Sequence, residues 1–589
     1  MYYDDPQIRA KGQGFEGSAF SLSGGHIVRE WKFGRSAISF INSPTEAILD
    51  GTSNDANAKY FLTITKDPDG NFTQVISDIQ GSTLKTRSDA GSTSSGISEA
   101  VNYVDYTGNV YQAQRMGEIN SSDPASSFYQ MTAGGQVLST DLPDEGMSQM
   151  VYDRSGNLRF VKTEKDMQPP INGKRFLAHK YDRFGRNWET GVISWTDGMD
   201  YFWSAFSGAY NFPEEHPDPN YGYNYKYLPK IRNYYDFSNT LASELATPSF
   251  IVNVLKNLRG RLAATVAFDE SGNTVSSNNR VEEYFSYDAD GRLEAKYKII
   301  PGLAVQRFAF TYDLQGKVKT KIYQTLNYSG ASTYSDTWNY LYDARGRLSS
   351  IQAAGSTLVS YDYDAIGHLI GKHFKKGAAA IGDETYSYNI RDWLLSHRAS
   401  VPGAGIYKED LTYEVPGTGT PRYGGNISSA THNYLMAAYA VSQFYKYDGA
   451  GQLVATTGTA GYNENYSYDT KGRIIQKTEG TKSYGPYNYS AGTHQVVSVP
   501  NSPMNSVLGN YTYDPNGNMV LDRSKKMAIQ YDWRNLPIAF KIYHTLPNRP
   551  IAWNEVDALP FTDGIQETAE VKMMYDADGN RVFKKNFQF

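Results

Sequence analysis

Hydrophobic and polar residues alternate along much of the chain, a pattern that is typical of β-strands with one apolar face. Phe308 and Phe310 lie on the same face as Tyr312, whereas Arg307 points to the opposite face. The segment 292–299 alternates in the same way, with Leu, Ala, Tyr and Ile on one face and Arg, Glu and two Lys residues on the other. No long window is dominated by good helix formers. The pattern therefore predicts many short strands separated by turns.

A six-residue signature, Tyr-Asp-x-x-Gly followed mostly by Arg, Asn or Lys, recurs at spacings that cluster near 21, 25 and 30 residues. Ten clean copies begin at Tyr152, Tyr181, Tyr287, Tyr312, Tyr342, Tyr363, Tyr447, Tyr468, Tyr513 and Tyr575. Looser copies begin at Phe268, Tyr388 and Tyr531. Self-similarity of this kind marks a structural unit that is repeated along the chain.

The residue types of the signature predict a tight turn between two strands. The Asp carboxylate accepts hydrogen bonds from backbone N–H groups that follow it, and the Gly takes the positive-φ position that closes a hairpin. We therefore assign structural turn roles to Tyr152, Asp153, Gly156, Tyr181, Asp182, Gly185, Tyr287, Asp288, Gly291, Tyr312, Asp313, Gly316, Tyr342, Asp343, Gly346, Tyr468, Asp469, Gly472, Tyr513, Asp514, Gly517, Tyr575, Asp576 and Gly579. Ten equivalent copies cannot all be catalytic, so these roles are structural.

Each unit is predicted to be a β-hairpin of about 20 residues, and a lone hairpin is only marginally stable in water. The hairpins must therefore pair edge to edge into one long antiparallel sheet, which the right-handed twist of the strands makes coil. The predicted fold class is all-β, a ribbon of hairpin repeats.

The signature and its spacing resemble the YD repeats of RHS-repeat proteins, a group that includes the shells of bacterial toxin complexes and the extracellular teneurins. Linking segments at 422–434, 484–499 and 513–540 resemble those of bacterial surface-type RHS proteins, and 63–86 resembles the β region that precedes their repeats. The resemblance implies a hollow or partly open β shell that encloses a C-terminal toxin. The sequence departs from the family pattern after YDADGNRVFKKNFQF, where no core domain or toxin follows. The family's self-cleaving aspartates lie in that core, so we assign no protease residues.

Four regions follow from the repeats. They are an N-terminal β-rich region (1–145), the first YD repeats (146–194), an aromatic-rich insertion with a short helix near 248–258 (195–260), and the main YD-repeat array (261–589). Because the sequence stops directly after a repeat, we expect a piece of a longer chain.

The insertion is the least regular part of the sequence. Its first part, 195–237, contains Pro213, Pro217, Pro219 and Pro229, which we expect to exclude a central strand. Its aromatic residues either plug an opening of the shell or form a stacking platform for a ligand, since their rings are apolar and their edges polar. The candidate aromatic residues are Trp195, Tyr201, Trp203, Tyr221, Tyr223 and Tyr225.

Composition narrows the chemistry further. Lys and Arg total 57 against 62 Asp and Glu, a net charge of −5, which argues against a nucleic-acid binder. The absence of cysteine excludes disulfides, Cys-ligated metal centres and thiol catalysis. No apolar run is long enough to span a bilayer, and the first residues do not form a signal peptide.

Motifs that would indicate an enzyme or a bound ion are weak. GQGFEG (12–17) lacks the strand and helix that a dinucleotide fingerprint requires. DPDGN (67–71) and DADGN (576–580) resemble the start of a calcium loop, but Asp in such positions is more often a turn former. We expect no cofactor, no metal and no catalytic residue.

Two further clusters have ordinary structural interpretations. Glu214, Glu215, His216 and Asp218 could form a carboxylate pair or metal site, but a solvated Pro-rich loop is the stronger interpretation. His368 and His373 are five residues apart, which places them on opposite faces of a strand and makes them poor joint ligands.

Three functional hypotheses remain. The first is a non-enzymatic shell segment, secreted or on the outer bacterial surface, that encapsulates or presents a polypeptide cargo such as a toxin. Its partners would be that cargo or an adjoining part of a longer RHS chain, with secretion machinery as a further partner, and neither nucleic acid nor a membrane span. The alternative is a cell-surface adhesin that binds glycan or protein through the aromatic insertion. The third is an enzyme, for which no acid–base pair stands out.

Overall fold

A computed structural model describes the greater part of the chain. The described residues are 12–13, 28–41, 44–45, 48–49, 55, 57–89, 97–105, 108–114, 126–168, 174–195, 225–236, 245, 248–269, 280–403, 405–414, 419–433, 440–459, 461, 463–469, 471–499, 509–547, 549–556 and 566–589. They form almost exclusively antiparallel β structure, which confirms the predicted fold class.

Forty strands follow one another among the residues that the structure describes. The first half contains β1 (Gly12–Gln13), β2 (Val28–Arg35), β3 (Tyr60–Lys66), β4 (Phe72–Asp78), β5 (Thr83–Asp89), β6 (Ile97–Val104), β7 (Val110–Gln114), β8 (Ser127–Met131), β9 (Val137–Leu142), β10 (Gly146–Tyr152), β11 (Leu158–Thr163), β12 (Lys174–Tyr181), β13 (Asn187–Trp195), β14 (Tyr225–Tyr235), β15 (Leu262–Phe268), β16 (Arg280–Tyr287), β17 (Leu293–Ile299), β18 (Val305–Tyr312), β19 (Val318–Leu326) and β20 (Ser332–Tyr342). The second half contains β21 (Leu348–Ala353), β22 (Ser356–Tyr363), β23 (Leu369–Lys376), β24 (Ala379–Tyr388), β25 (Leu394–Val401), β26 (Gly405–Thr412), β27 (Ser429–Asn433), β28 (Ala440–Tyr447), β29 (Leu453–Gly458), β30 (Glu464–Tyr468), β31 (Ile474–Glu479), β32 (Lys482–Tyr484), β33 (Asn488–Tyr489), β34 (Val496–Ser498), β35 (Tyr511–Tyr513), β36 (Met519–Asp522), β37 (Met527–Tyr531), β38 (Pro537–Tyr543), β39 (Glu567–Tyr575) and β40 (Arg581–Gln588).

Helices are short among the described residues. They are α1 (Glu164–Met167), α2 (Ser249–Val252) and α3 (Trp553–Val556). The helix expected near 248–258 is thus a single turn, α2. None of these helices is a candidate for crossing a bilayer.

Residue contacts divide the chain into two compact units. Unit 1 comprises 1–144, 361–374 and 379–506, and unit 2 comprises 145–360, 375–378 and 507–589.

Unit 1 begins with a meander in which each of the strands β2 to β9 pairs with the next. Alternate residues such as Trp31, Leu62, Ile64 and Ile76 are fully buried because strands β2 to β4 turn one apolar face to a common core. The buried amide of Gln74 is satisfied there, since its Oε1 accepts from Ile41 N–H (2.9 Å) and its Nε2 donates to Ile41 O (2.8 Å).

The later part of unit 1 is a second antiparallel series, in which each strand from β24 to β32 pairs with its neighbour along the chain. Turns of the N-terminal meander contact this part of the chain. Asp69 accepts hydrogen bonds from the N–H groups of Tyr423 (2.6 Å) and Gly424 (3.0 Å), and Asp144 accepts one from His494 N–H (2.6 Å).

Unit 2 contains the series from β10 to β21, which is also paired strand by strand. Strand β15, with the sequence LAATVAF, is buried on both faces and has no charged residue on either. Strands β16, β17 and β18 contribute Tyr284, Tyr297 and Val305 to the same core.

Strand β14 corrects one expectation from the sequence. It contains Pro229 and yet pairs with both β13 and β15, so the prediction that this proline excludes a central strand is wrong. Gly191 lies opposite Pro229 where the register shifts between Thr190 and Gly191. A β-bulge tolerates proline because the ladder is already interrupted there and the missing N–H leaves no acceptor unpaired.

A six-stranded sheet, β35 to β40, completes unit 2. Its last hairpin packs Met574 and Phe583 against Ala267, Val281 and Ile300 of the repeat sheet. This second layer explains why β15 and its neighbours are buried on both faces.

Candidate functional site

The turn of each repeat is a compact loop held by its aspartate. In the copy that begins at Tyr312, Asp313 N–H donates to Lys317 O (2.9 Å) and Gly316 N–H donates to Asp313 O (3.1 Å). Asp313 Oδ1 accepts from the N–H groups of Gln315 (2.9 Å) and Lys317 (2.8 Å). Gly316 has φ +82°, and the register shifts between Thr311 and Tyr312. This is a hairpin turn with a glycine bulge.

The other predicted turns have the same geometry. The motif aspartates Asp153, Asp182, Asp288, Asp343, Asp469, Asp514 and Asp576 each accept the N–H of the residue four positions later. The glycines Gly156, Gly185, Gly291, Gly346, Gly472, Gly517 and Gly579 all have positive φ. The N–H of Arg347, which donates to Asp343, is the main cause of an Asp343 pKa below its usual value. Tyr152 ends strand β10, and Tyr513 ends strand β35.

Two looser copies keep the turn without glycine. Asp392 and Asn535 occupy the glycine position of the copies at Tyr388 and Tyr531, with φ of +64° and +62°. Asp and Asn tolerate this left-handed conformation better than other side chains, which explains why these residue types replace glycine there. Residues 270–279, which contain the end of the loose copy at Phe268, lie outside the described residues.

In most repeats the motif tyrosine connects its hairpin to the one before it, a role that the sequence did not reveal. Tyr312 donates its hydroxyl hydrogen to Leu293 O (2.7 Å), and Leu293 is the residue two positions after the glycine of the preceding repeat. The other tyrosines that donate to the carbonyl two positions after the glycine position of an earlier turn are Tyr181, Tyr235, Tyr287, Tyr342, Tyr388, Tyr413, Tyr447, Tyr468, Tyr489, Tyr531 and Tyr575. Burial raises the pKa of Tyr531 to about 12, so this hydroxyl remains a protonated donor at neutral pH.

The acceptors of these hydroxyls identify hidden copies of the turn. Tyr287 bonds Leu262 O and Tyr447 bonds Ile427 O, and each acceptor lies two residues after a glycine with positive φ. Gly425 belongs to a segment with no Tyr-Asp pair. The turn at Gly260 is completed by the distant pair Tyr235–Asp236, since Asp236 N–H donates to Arg261 O (3.0 Å) and Gly260 N–H donates to Asp236 Oδ1. An apolar residue two positions after a turn glycine is the sequence signal that would have revealed them.

The residue after the glycine forms a second connection between repeats. Arg292 Nε donates to Asp288 Oδ2 of its own turn (2.7 Å), and its guanidinium lies over the ring of Tyr312 in the next repeat (4.8 Å). Arg186 and Arg473 make the equivalent pair of contacts. We call this arrangement of aspartate, cation and next tyrosine the turn clamp.

Parts of the repeat sheet are a single layer. In unit 2, strands β20 and β21 contain no buried residue, and every position is exposed or half-buried. In unit 1, strands β30 and β31 are likewise without a buried residue. A sheet in a two-layered domain would bury one face, so these stretches have no second layer over either face.

The two faces of the single layer differ in chemistry. In unit 2, one face has the ring contacts Phe308–Tyr323 (5.2 Å) and Tyr323–Tyr334 (6.1 Å). The opposite face carries Thr320, whose hydroxyl donates to Asn339 Oδ1 (3.1 Å). Unit 1 repeats the distinction, with Tyr386 and His397 stacked on one face (4.8 Å) and Ser387 and Ser396 hydrogen-bonded on the other (2.7 Å).

Unit 2 also contains a cavity of about 480 Å³ beneath the C-terminal sheet. Phe268 and Val281 line one side, and Met573, Phe583 and Phe587 line the other. The lining is mostly apolar, as in many ligand sites.

The buried carboxylate of Glu189 in unit 2 is hydrogen-bonded to neighbouring donors. The Glu189 carboxylate, 1% exposed, accepts from Lys180 Nζ (2.7 Å), Tyr227 Oη (2.8 Å) and Arg232 Nε (2.7 Å). Burial opposes ionisation, but Arg232 and Lys180 outweigh it and hold the Glu189 pKa below its usual value. With its lone pairs occupied by these donors, the carboxylate neutralises buried cations.

Only two of the six candidate aromatic residues of the insertion lie among the described residues. Tyr201, Trp203, Tyr221 and Tyr223 lie outside the described residues. The backbones of Trp195 and Tyr225 are paired at the ends of β13 and β14. Whether these aromatic residues plug an opening or bind a ligand therefore stays a prediction.

The remaining motifs fall into turns or outside the described residues. Asp67 Oδ1 accepts Asn71 N–H (2.8 Å) and Asp69 bonds the segment at Tyr423, so both carboxylates of DPDGN serve as hydrogen-bond acceptors. The acidic cluster at 214–218 lies outside the described residues. Among the residues that the structure describes, no three metal-ligating side chains are arranged to hold an ion.

Comparison with known sequences finds partial matches. The teneurin YD-shell family model matches residues 252–399. The toxin protein Tse5 of Pseudomonas aeruginosa is 25% identical over 167 residues, which are 27% of this chain and 11% of that protein. Human teneurin-4 is 27% identical over 206 residues, which are 35% of this chain and 7% of that protein. The matches thus span only a small part of these relatives.

Solved structures match over more of the chain. The Tc holotoxin pore of Photorhabdus luminescens superposes on 90% of this chain and 25% of its own, with a TM-score of 0.60 and 13% identity. TcdB2–TccC3 without its hypervariable C-terminal region gives the same coverage and identity with a TM-score of 0.61. Because the sequence identity to these structures is only 13%, the likeness establishes the fold alone.

Proposed function

The chain is an RHS/YD-repeat protein, and from this premise we propose that it is a shell segment that encloses or presents a polypeptide cargo. The cargo would be a toxin or effector polypeptide. The role of the shell would be confinement, because a wall of paired strands keeps a polypeptide away from proteases and other partners.

The observation that carries the proposal is the single-layered sheet. Strands such as β20 and β21 have no buried residue although both are fully paired, so neither face is used to build a core. An ordinary globular domain buries one face of each sheet, since burial of apolar surface is the main stabilising term in folding. A wall needs two accessible faces, one for each side.

We propose that the chain has no enzymatic activity of its own. The aspartates of the repeats hold turns, and the buried Glu189 neutralises Lys180 and Arg232. These groups are therefore occupied by structural partners. A carboxylate for acid–base chemistry needs a free position facing a substrate.

The partners and location follow from the same premise. This chain corresponds to only 11% of Tse5 and 25% of the matched Tc holotoxin chain. An adjoining part of a longer RHS chain is therefore one expected partner besides the cargo. Relatives named as toxin components favour a secreted or surface-exposed protein, with secretion machinery as a transient partner.

The test is protection of a passenger. A disordered, protease-sensitive reporter fused after Phe589 of the full chain should be digested much more slowly than the same reporter fused to a compact carrier of similar size. Electron cryo-microscopy of the fusion should show a wall one strand layer thick around an internal void.

Two results would contradict the proposal. One is digestion of the reporter at the same rate on both carriers. The other is a density map in which the repeat sheet packs around a solid interior.

A further inference from the structure

Three adjacent strands of unit 2 carry a row of aromatic rings on one face. Phe308 of β18, Tyr323 of β19 and Tyr334 of β20 follow one another across the sheet, with ring centroids 5.2 and 6.1 Å apart. Trp338 of β20 belongs to the same face, because it lies directly opposite Lys321, two residues before Tyr323. None of these rings is buried, and Tyr334 is 51% exposed, so a partner can reach them. We call this surface the aromatic face of β18–β20.

Two lysines of β19 give the aromatic face a positive charge. Lys321 Nζ lies 5.9 Å from the ring centroids of both Phe308 and Trp338, and the exposed Lys319 is on the same face of the strand. Among the residues that the structure describes, neither lysine is ion-paired with a carboxylate. The only carboxylate on this face of the three strands is Asp336, which accepts a hydrogen bond from the tyrosine two residues before it. The surface therefore offers apolar rings together with two cations that a partner can neutralise.

The same face continues under the C-terminal sheet of unit 2. Strand pairing places Phe308 opposite Lys296 of β17, and Lys296 opposite Phe285 of β16. Val281 shares this face because it is four residues from Phe285 along the strand, and it packs against Phe583 of β40. The sheet β35 to β40 thus lies on the side of the repeat sheet that carries the rings. A polypeptide attached to that sheet begins on the aromatic side.

The opposite face of the same strands has a different chemistry. On β20 it carries Ser335, Thr337 and Asn339, all exposed. The Thr320 hydroxyl donates to Asn339 Oδ1 (3.1 Å), and Gln324 Nε2 donates to Ser335 Oγ (3.3 Å). These groups bond one another and water, whereas aromatic rings gain free energy when a partner covers them. Of the two faces, the aromatic one is therefore suited to contact with another polypeptide.

On the basis of the proposed function above, we propose that the aromatic face of β18–β20 is turned toward the polypeptide cargo and binds extended segments in which apolar side chains alternate with carboxylates. The apolar side chains pack on the rings, and the carboxylates pair with Lys319 and Lys321. A second copy of the chain is a poorer occupant, because two copies face to face would bring their lysines together.

Site-specific photo-crosslinking in the full-chain reporter fusion tests which face contacts the cargo. The reporter contains apolar and acidic residues, and p-benzoylphenylalanine replaces one residue at a time. The positions are Tyr323 and Tyr334 on the aromatic face and Thr337 and Asn339 on the opposite face. A cleavage site behind Phe589 releases any reporter that is not crosslinked. We expect crosslinked reporter from the two tyrosine positions and loss of this product at the two opposite positions.

A charge-removing variant tests the acidic part of the proposal. Replacing both lysines, Lys319→Gln with Lys321→Gln, should lower the crosslinking yield from Tyr334 roughly two- to fivefold, the contribution of exposed ion pairs. Lys256→Gln is the matched control, since Lys256 is ion-paired with Glu294 elsewhere in unit 2 and should leave the yield unchanged. A reporter whose Asp and Glu are replaced by Asn and Gln should give the low yield with or without the two lysines.

The outcomes separate this proposal from the proposed function. Protection of the reporter with equal crosslinking from both faces, or with crosslinks only from Thr337 and Asn339, would overturn the assignment of the face alone. A product of twice the chain mass from Tyr334 would show that a second copy covers the rings and would overturn it as well. Digestion of the reporter at the same rate on both carriers would overturn the proposed function and the assignment with it.

Discussion

Tyrosine rather than phenylalanine dominates the aromatic residues of this chain, 48 against 26, and the hydroxyl explains the preference. The ring of a motif tyrosine covers the neighbouring turn, while its hydroxyl donates to a carbonyl at the start of the preceding hairpin's return strand. That carbonyl lies where the strand ladder ends, so it needs a hydrogen-bond donor from a side chain. Phenylalanine would supply the ring but leave the carbonyl unpaired.

Replacing one hydroxyl tests this role. Tyr312→Phe removes the donor to Leu293 O and should lower the free energy of unfolding of unit 2 by about 1 kcal/mol, as measured by urea denaturation. Tyr328→Phe is the control, because Tyr328 is 62% exposed in a surface turn. Equal effects of the two substitutions would show that the hydroxyl of Tyr312 contributes nothing specific.

At the scale of elements, the turns determine where one strand ends and the next begins. Two turn conformations serve this function. One is a glycine bulge such as that at Gly316, and the other is a tight turn at Ala354–Gly355 in which both residues have positive φ. Only the second places an alanine in the left-handed region, where its Cβ is strained.

Opposite substitutions at these two turns should have opposite signs. Gly316→Ala places a Cβ at φ +82° with no neighbouring atom in its way, so the backbone strain alone should cost about 1–2 kcal/mol. Ala354→Gly, at φ +48°, should stabilise the β21–β22 hairpin by about 0.5–1 kcal/mol. Thermal unfolding midpoints that move in the same direction for both variants would contradict this account.

A buried ion pair connects α1 to the C-terminal sheet of unit 2. Lys165 Nζ lies 2.7 Å from Asp514 Oδ2, and the Asp514 side chain is fully buried. Lys165→Met should destabilise unit 2 by about 3 kcal/mol, because it leaves a buried carboxylate without its cation. Lys256→Met is the matched control, since the Lys256–Glu294 pair is exposed and should cost less than about 1 kcal/mol in the same urea titration.

The sequence predicted the repeated turns and the all-β class, because the roles of Asp and Gly in a turn depend on residues within the same six positions. It did not predict the tyrosine contacts, because each acceptor belongs to the preceding hairpin and is not part of the motif. The central strand β14 was missed for a related reason. Pro229 excludes a regular ladder position, but the bulge that accommodates it is set by the neighbouring strand at Gly191.

At the scale of the whole molecule, many turns depend on ionised aspartates. The pKa values of Asp182, Asp288 and Asp343 are lowered, in each case with the help of hydrogen bonds from the arginine four residues later. A depressed pKa contributes stability that is fully present above the unfolded-state value and is lost as the pH falls through the folded value.

The chain should therefore unfold more easily in acid. Urea midpoints should be constant from pH 5 to pH 6 and should fall steadily below about pH 4, where the unfolded chain binds protons that the folded turns exclude. Asp343→Asn, which keeps the side-chain oxygen as an acceptor but removes the charge, should reduce the steepness of this fall. A midpoint that is independent of pH between 5 and 3 would show that the turns do not need their charge.

The direction of the tyrosine bonds has a consequence for how the ribbon is made. Every acceptor precedes its donor in the sequence, as Leu293 precedes Tyr312 and Leu453 precedes Tyr468. When the chain leaves the ribosome or a secretion channel N-terminus first, the acceptor carbonyl for each motif tyrosine has emerged before that tyrosine. The contact therefore requires no residue that is synthesised later. The ribbon can thus grow by addition at one end, in the order in which its residues are translated.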